Sequence, residues 1–214
     1  MAPQLDFAAS ERRALADLLA ELGPDAPTLC DGWTTADLAA HLVIRENTIL
    51  PAAGIAIPRL AGRTRQAMDE LLRTHGYVGT VGRVRTGPSG LTPYRLPALE
   101  RAANAVEYFV HHEDVRRARP GWQPRNLPST FEDLLWQRLR TAGRMLFRRV
   151  PVGVLLARPT GRTARVRGGE PVAVIEGRPS ELMLYAFGRG TVARIEVKGP
   201  ESAVTALRRS RLGM

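Results

Sequence analysis

Apolar residues recur along this chain at two different periods, and the change of period divides it. Up to about residue 150 the spacing is helical. Residues 7–22 carry Phe7, Leu15, Leu18, Leu19 and Leu22 at helical intervals and stop at Gly23-Pro24, a pair that cannot continue a helix. Thr34 is placed to cap a second helix with Asp37 as its third residue, an acidic form of the capping box, and Leu38, Leu42 and Ile49 then share one side. A third helix is expected over residues 63–74, ending at His75-Gly76, whereas the Gly-, Pro- and Thr-rich residues 76–97 read as irregular. Pro97 suits the opening of a helix over residues 98–119 that Pro120-Gly121 ends. Leu99, Ala103, Val106, Phe109 and Val110 line one side of it, and Tyr108 and Val115 extend the cover, as for a helix in the middle of a bundle. Ser129 and Glu132 read as a further capping box, opening a helix that runs to about residue 150.

From Pro151 onward short β-branched runs replace this pattern, at residues 152–157, 164–166, 172–175 and 194–197, with helices expected over 180–187 and 201–209. The pattern predicts an α+β protein with a helical bundle over residues 1–150 and a small α+β lobe over 151–214. A lobe of about sixty residues is marginal alone and is expected to pack on the bundle.

Composition narrows the class. The 214 residues include one cysteine, Cys30, so no intrachain disulfide can form, and a reducing compartment is the natural setting. The N-terminal residues lack a charged stretch followed by an apolar run, and no apolar segment is long enough to span a bilayer, so a cytoplasmic protein without membrane association is expected. The net charge of +10 raises nucleic acid as a partner. Its distribution argues against one, because Lys198 is the sole lysine and the arginines are scattered among acids such as Glu11, Asp17, Asp69, Glu100 and Asp133. A GC-rich genome produces the same bias. The pairs Arg116-Arg117, Arg148-Arg149 and Arg208-Arg209 suit either an anionic substrate or solvated helix ends.

The candidate chemistry lies on two of the helices. Glu107 and His111 are four residues apart and therefore share a helix face, with Asn104 and Asp114 on the same strip, and His41 sits mid-way along another helix. Two imidazoles and a carboxylate suit zinc or another divalent metal, and three protein ligands leave a position for water or substrate. Glu/His pairs at this spacing also occur on solvated helix faces. Asp37 and Arg45 flank His41 at i−4 and i+4, so Asp37 either orients the imidazole or caps its own helix. Asn104 is placed to support Glu107 or a bound water. His112 reads as a bundle-surface residue, His75 as part of a helix end, Cys30 as a small residue in a loop-to-helix junction and Trp33 as a staple at the entry to the second helix.

The run Cys30-Asp31-Gly32-Trp33-Thr34-Thr35-Ala36-Asp37-Leu38-Ala39-Ala40-His41-Leu42 resembles the metal-binding helix of the DinB-like family, in particular its mycothiol-dependent maleylpyruvate isomerase branch. Glu107 to His111 is similar to that family's Glu-x-x-x-His ligand pair, and Gly177 to Leu182 with Gly188-Arg189 is similar to the α/β domain that follows the bundle, which resembles the sterol carrier protein fold. The resemblance implies a DinB-like bundle of four main helices and a divalent metal, most often zinc, held by His41, Glu107 and His111. It further implies a small thiol such as mycothiol, a small-molecule substrate, and isomerase or S-transferase activity on an electrophile. An arginine of the C-terminal lobe also belongs to that activity, with Arg189, Arg194 and Arg208 as candidates. The alternative is a metal-binding protein without catalysis, or a carrier of a small ligand.

Overall fold

Local chemistry decides where the first helix begins and stops and where the second begins. The computed structural model describes residues 6–47, 61–88 and 104–213. The chain divides into two compact units, Met1–Gln123 and Pro124–Met214. In the first, α1 (Phe7–Leu22) opens on Asp6, whose carboxylate accepts from the Ala9 N–H at 3.1 Å, and ends at Gly23, whose φ of 77° lies in the left-handed region that glycine tolerates. α2 (Thr35–Asn47) opens with one half of the capping box: Asp37 Oδ2 accepts from the N–H of Thr34 at 3.0 Å, and the Thr34 hydroxyl donates to the same oxygen at 3.2 Å. α3 (Ala61–Thr86) and α4 (Ala105–Arg117) follow, giving four helices among the described residues of this unit.

Residues 77–86, expected to be irregular, are helical. Gly76, at φ 62° and ψ 176°, kinks α3, and the chain then resumes its helix to Thr86. Tyr77, Thr80, Val81 and Val84 recur at i, i+3, i+4 and i+7, so this piece has an apolar side that its glycines conceal in the sequence. Val81 and Val84 enter the core with Leu15, Leu19, Leu38, Leu42, Val43, Tyr108 and Val115, and Tyr77 packs against that cluster while its hydroxyl donates to the Leu19 carbonyl at 2.6 Å. The expectations for Ile49, for residues 89–97 and for Leu99 and Ala103 fall outside the described residues.

The second unit begins at Pro124, and its first helix is α5 (Ser129–Leu146). The strands β1 (Gly153–Ala157), β2 (Thr163–Arg167) and β3 (Val172–Glu176) are followed by α6 (Pro179–Ala186), β4 (Glu196–Lys198) and α7 (Glu201–Arg209). The sheet order is β2-β1-β3-β4, with β1 antiparallel to β2 and parallel to β3, and β4 antiparallel to β3. Val154, Leu156, Ala173 and Ile175 alternate inward and are fully buried, which is the period-two pattern of a sheet covered on one face. α5 packs on β2 and α6, and α7 packs on β3. A Cβ at Gly143 would lie 2.4 Å from Val166 Cγ1, so α5 meets β2 where only glycine leaves room. The architecture is a helical N-terminal part followed by an α/β lobe, and among the described residues no helix is long and apolar enough to cross a membrane.

Glu132 corrects the expected second capping box. α5 is preceded by Pro128 and has no side-chain cap; the Glu132 carboxylate instead accepts from the N–H and the hydroxyl of Ser180, each at 2.8 Å, with Arg178 Nε at 3.4 Å. It satisfies an N–H in the first turn of α6, where the helix dipole favours a negative charge. Glu132 and Ser180 are both buried, so Glu132→Ala is expected to destabilise this unit by about 2–3 kcal/mol, the range for losing buried charge-assisted hydrogen bonds. Denaturant unfolding followed by fluorescence of the buried Trp136 measures this, and an unchanged midpoint would show the cap to be dispensable.

Candidate metal centre

Two helices and one loop of the first unit bring the site together. α2 supplies His41 and, one turn on, Arg45; α4 supplies Glu107, His111 and Asp114; the loop before α2 supplies Cys30 and Trp33. On α2 the residues Leu38, Ala39, Leu42 and Val43 turn into the core, Ala40 and Ile44 meet Met68 of α3, and His41 falls on the strip that remains. On α4, Tyr108 and Val115 face the core while Glu107 and His111 project from the neighbouring strip.

The hub is one carboxylate oxygen. Glu107 Oε1 lies 3.2 Å from His111 Nε2, 3.8 Å from His41 Nε2 and 3.2 Å from Arg45 Nε. Ligand atoms about 2.0–2.2 Å from a tetrahedral zinc stand about 3.3–3.6 Å apart, so the His111–Glu107 separation is close to an edge of such a centre and the 3.8 Å His41–Glu107 separation is slightly longer than one. One ligand atom from each of His41, Glu107 and His111 lies within 4.8 Å of the other two. The donor set and its spacing therefore fit a divalent ion. The His41 and His111 rings meet edge-on with centroids 5.3 Å apart, and the Trp33 indole lies 4.8 Å from the His41 ring, so Trp33 walls the site as well as marking the entry to α2.

Electrostatics follow from burial and neighbours. Burial pushes the Glu107 carboxyl up, but hydrogen bonding to His111 and His41 together with the Arg45 guanidinium holds it well below the usual carboxylate range. Burial lowers His41, with Glu107 opposing and the charges of His111 and Arg45 adding to the drop, so its imidazole is kept neutral. Burial also acts to lower His111, yet Asp114, Cys30 and Glu107 raise it well above an ordinary histidine. Its Nδ1 lies 2.9 Å from Asp114 Oδ2, the arrangement in which a carboxylate fixes a ligating imidazole through its far nitrogen.

Several placements differ from expectation. Asp37 does not reach His41: it holds Thr34 and pairs with Arg65, and His41 Nδ1 is buried without a hydrogen-bond partner among the described residues. Asn104 supports Glu107 indirectly, because its Oδ1 accepts from Arg45 Nη1 at 2.8 Å while its Nδ2 donates to Glu46 Oε1 at 3.0 Å. His112 is buried and its Nδ1 lies 3.0 Å from Glu11 Oε2 of α1, since α4 meets α1 on that side. Cys30 is half-buried, donating to Asp114 Oδ2 at 3.3 Å with Sγ 4.0 Å from His111 Nδ1, so Cys30, His111 and Asp114 form a second cluster of ligand type. The Asp114 spacing to His111, three residues on the same helix, is the signal in the sequence that points to an orienting carboxylate. Arg116 and Arg117 both pair with Glu113, whereas Arg148, Arg149, Arg208 and Arg209 are exposed. In the second unit Arg189 Nη1 donates to the Phe187 carbonyl at 2.6 Å, the Arg194 N–H donates to Glu181 Oε2 at 2.8 Å, and Arg208 stands in the last turn of α7.

The family described as the mycothiol maleylpyruvate isomerase N-terminal domain matches residues 8–142. Two solved structures share the fold: the crystal structure of the mycothiol-dependent maleylpyruvate isomerase, at a TM-score of 0.56, and that of a histidine-to-alanine mutant of this isomerase, at 0.54. Each is 16% identical, over 91% of this chain and 92% of that one. No curated protein matches.

Proposed function

Because the chain belongs to the mycothiol maleylpyruvate isomerase N-terminal domain family, we propose that it is a metal- and thiol-dependent enzyme acting on a small electrophile. In this reading His41, Glu107 and His111 hold a divalent ion, zinc by the character of the donors, and the thiol is mycothiol or a close analogue. The reaction is isomerisation of the electrophile or transfer of sulfur to it. The observation that carries the reading is the convergence of two imidazole Nε2 atoms, delivered by separate helices, on one partly buried carboxylate oxygen.

The protein's own contribution is placement. Asp114 accepts at His111 Nδ1, which leaves Nε2 turned toward Glu107. The neutral state of His41 suits a ligating nitrogen, which must carry no proton. Trp33 closes one side with an apolar face, limiting water beside the reacting sulfur. A divalent ion there supplies the Lewis acidity that keeps a thiol in its thiolate form near neutral pH, the form that adds to an activated double bond or displaces a leaving group.

Metal-stripped and metal-reconstituted protein, assayed with mycothiol and other small thiols against a panel of activated alkenes and alkyl halides, tests this reading. Reconstituted protein is expected to accelerate at least one pairing, and stripping is expected to reduce that rate more than about 100-fold, since both ion and thiolate are then lost. Full activity after stripping contradicts the metal dependence. An ion retained without turnover on any pairing favours the non-catalytic carrier.

A further inference from the structure

We infer that Arg45 makes this centre select an anionic guest over a neutral one. The inference rests on the metal-centre reading above and deepens it by naming the charge of what the open position takes. Arg45 Nε lies 3.2 Å from Glu107 Oε1, the same oxygen that both imidazoles face. The guanidinium is thus a neighbour of any ion those three residues hold. Arginine carries its charge at every pH of interest.

Charge counting gives the consequence. With an ion bound, two imidazoles left neutral by ligation and the Glu107 carboxylate would leave a local charge of about +1; the Asp114 carboxylate behind His111 lowers it by about one and the Arg45 guanidinium beside Glu107 restores it, so the arginine decides whether the centre is net positive. Such a centre gains more from a thiolate, carboxylate or other anion than from water or a neutral base. The interaction is weakly screened because Arg45 and Glu107 are only 12% and 15% exposed.

The guanidinium is also held in place from behind. Its Nη1 donates to Asn104 Oδ1 at 2.8 Å, Asn104 Nδ2 donates to Glu46 Oε1 at 3.0 Å, and Glu46 is gripped by both Nη atoms of Arg12 at 3.0 and 2.9 Å. Arg12, Glu46 and Asn104 are each no more than 4% exposed. A charge anchored by a buried chain of this kind cannot swing away when a guest arrives. Asp37, one turn before His41 on α2, shows the contrasting case, because its partner Arg65 on α3 is half exposed and the pair lies outside the cluster.

Cobalt(II) loaded into the full-length protein reports the guest directly, because its visible spectrum changes with the exchangeable ligand. Azide serves as the anionic probe and imidazole as the neutral one. In the unaltered protein azide is expected to bind more tightly than imidazole. Arg45→Gln and Arg45→Met are expected to weaken azide about 10- to 100-fold while leaving imidazole within about threefold, and Arg45→Lys is expected to keep most of the azide affinity. Cobalt itself should bind the neutral variants as tightly as the unaltered protein or more so. An equal loss of both probes would mean that Arg45 merely supports the structure, and unchanged azide binding would mean that its charge is not felt; either result overturns the inference. Failure of the unaltered protein to bind cobalt at His41, Glu107 and His111 would overturn the metal reading first. Cobalt binding with no azide preference would overturn this inference alone.

Discussion

Replacing His41 by alanine is expected to remove the bound ion and thiol-dependent turnover together, with little change in the fold. His41 is the only ligand that α2 contributes, so its loss leaves Glu107 and His111 on a single helix to hold the ion. Changes to the groups that merely support ligands lower metal affinity about 10- to 100-fold, and loss of a ligand should exceed that. Alanine is the strongest helix former, and no protein group is left unpaired at Nδ1, which has no hydrogen-bond partner among the described residues. The metal-free variant is therefore expected to melt close to the metal-free parent. Elemental analysis and scanning calorimetry of the two proteins check both parts, and a His41→Ala protein that keeps about one ion per chain would refute the assignment.

Arg12→Met is expected to give the largest loss of stability in the first unit. Arg12 and Glu46 form a two-bond ion pair with both side chains almost fully buried, and the Arg12 guanidinium also lies 4.7 Å over the Tyr108 ring. A Cβ at Gly87 would approach Arg12 Nη1 to 2.1 Å, so that glycine leaves the space the guanidinium occupies. Removing one partner of a buried pair strands the other charge, which typically costs about 3–5 kcal/mol. The pH dependence identifies the cause. Burial raises Glu46 above an ordinary carboxyl, with Arg12 opposing that rise. Without Arg12 the folded-state value climbs further, so between the unfolded value and the folded one the native protein binds more protons than the unfolded chain. Stability then falls as pH rises through that window. The penalty of Arg12→Met should accordingly be larger at pH 8 than at pH 5 in urea denaturation. A penalty that grows as pH falls would show that the stranded carboxylate is not its source.

What the sequence discloses, and what it conceals, has a physical pattern. α1 can be read to the residue because Asp6 and Gly23 act within their own turns, and the strand runs can be read because burial on one face imposes a period of two. The latter half of α3 is concealed because glycines at 76, 79 and 82 look like loop, although Tyr77, Val81 and Val84 carry the helical stripe. Glu132 illustrates a different limit. Its spacing to Ser129 suits a local cap, yet it caps α6, which approaches from elsewhere in the chain.

The candidate ligands His41, Glu107 and His111 are visible as residue types at helical spacing, and the structure brings them together. Their surroundings are only partly visible in this way. Asp114 reaches His111 within one turn of α4, but Arg45 on Glu107 depends on the rotation of α2 against α4, and His112 on Glu11 depends on how α4 meets α1. No single helix encodes the direction of its neighbour. Residues at the right spacing can therefore be named from one helix, whereas charges brought by a second helix cannot.

X-ray absorption at the metal edge of zinc-loaded protein, without added thiol, tests the central claim most directly. The account predicts about one zinc per chain with a first shell of two imidazole nitrogens and light oxygen donors near 2.0–2.2 Å, and no sulfur. A sulfur scatterer near 2.3 Å would place the ion at Cys30, His111 and Asp114 instead, and a shell without imidazole would contradict the centre altogether.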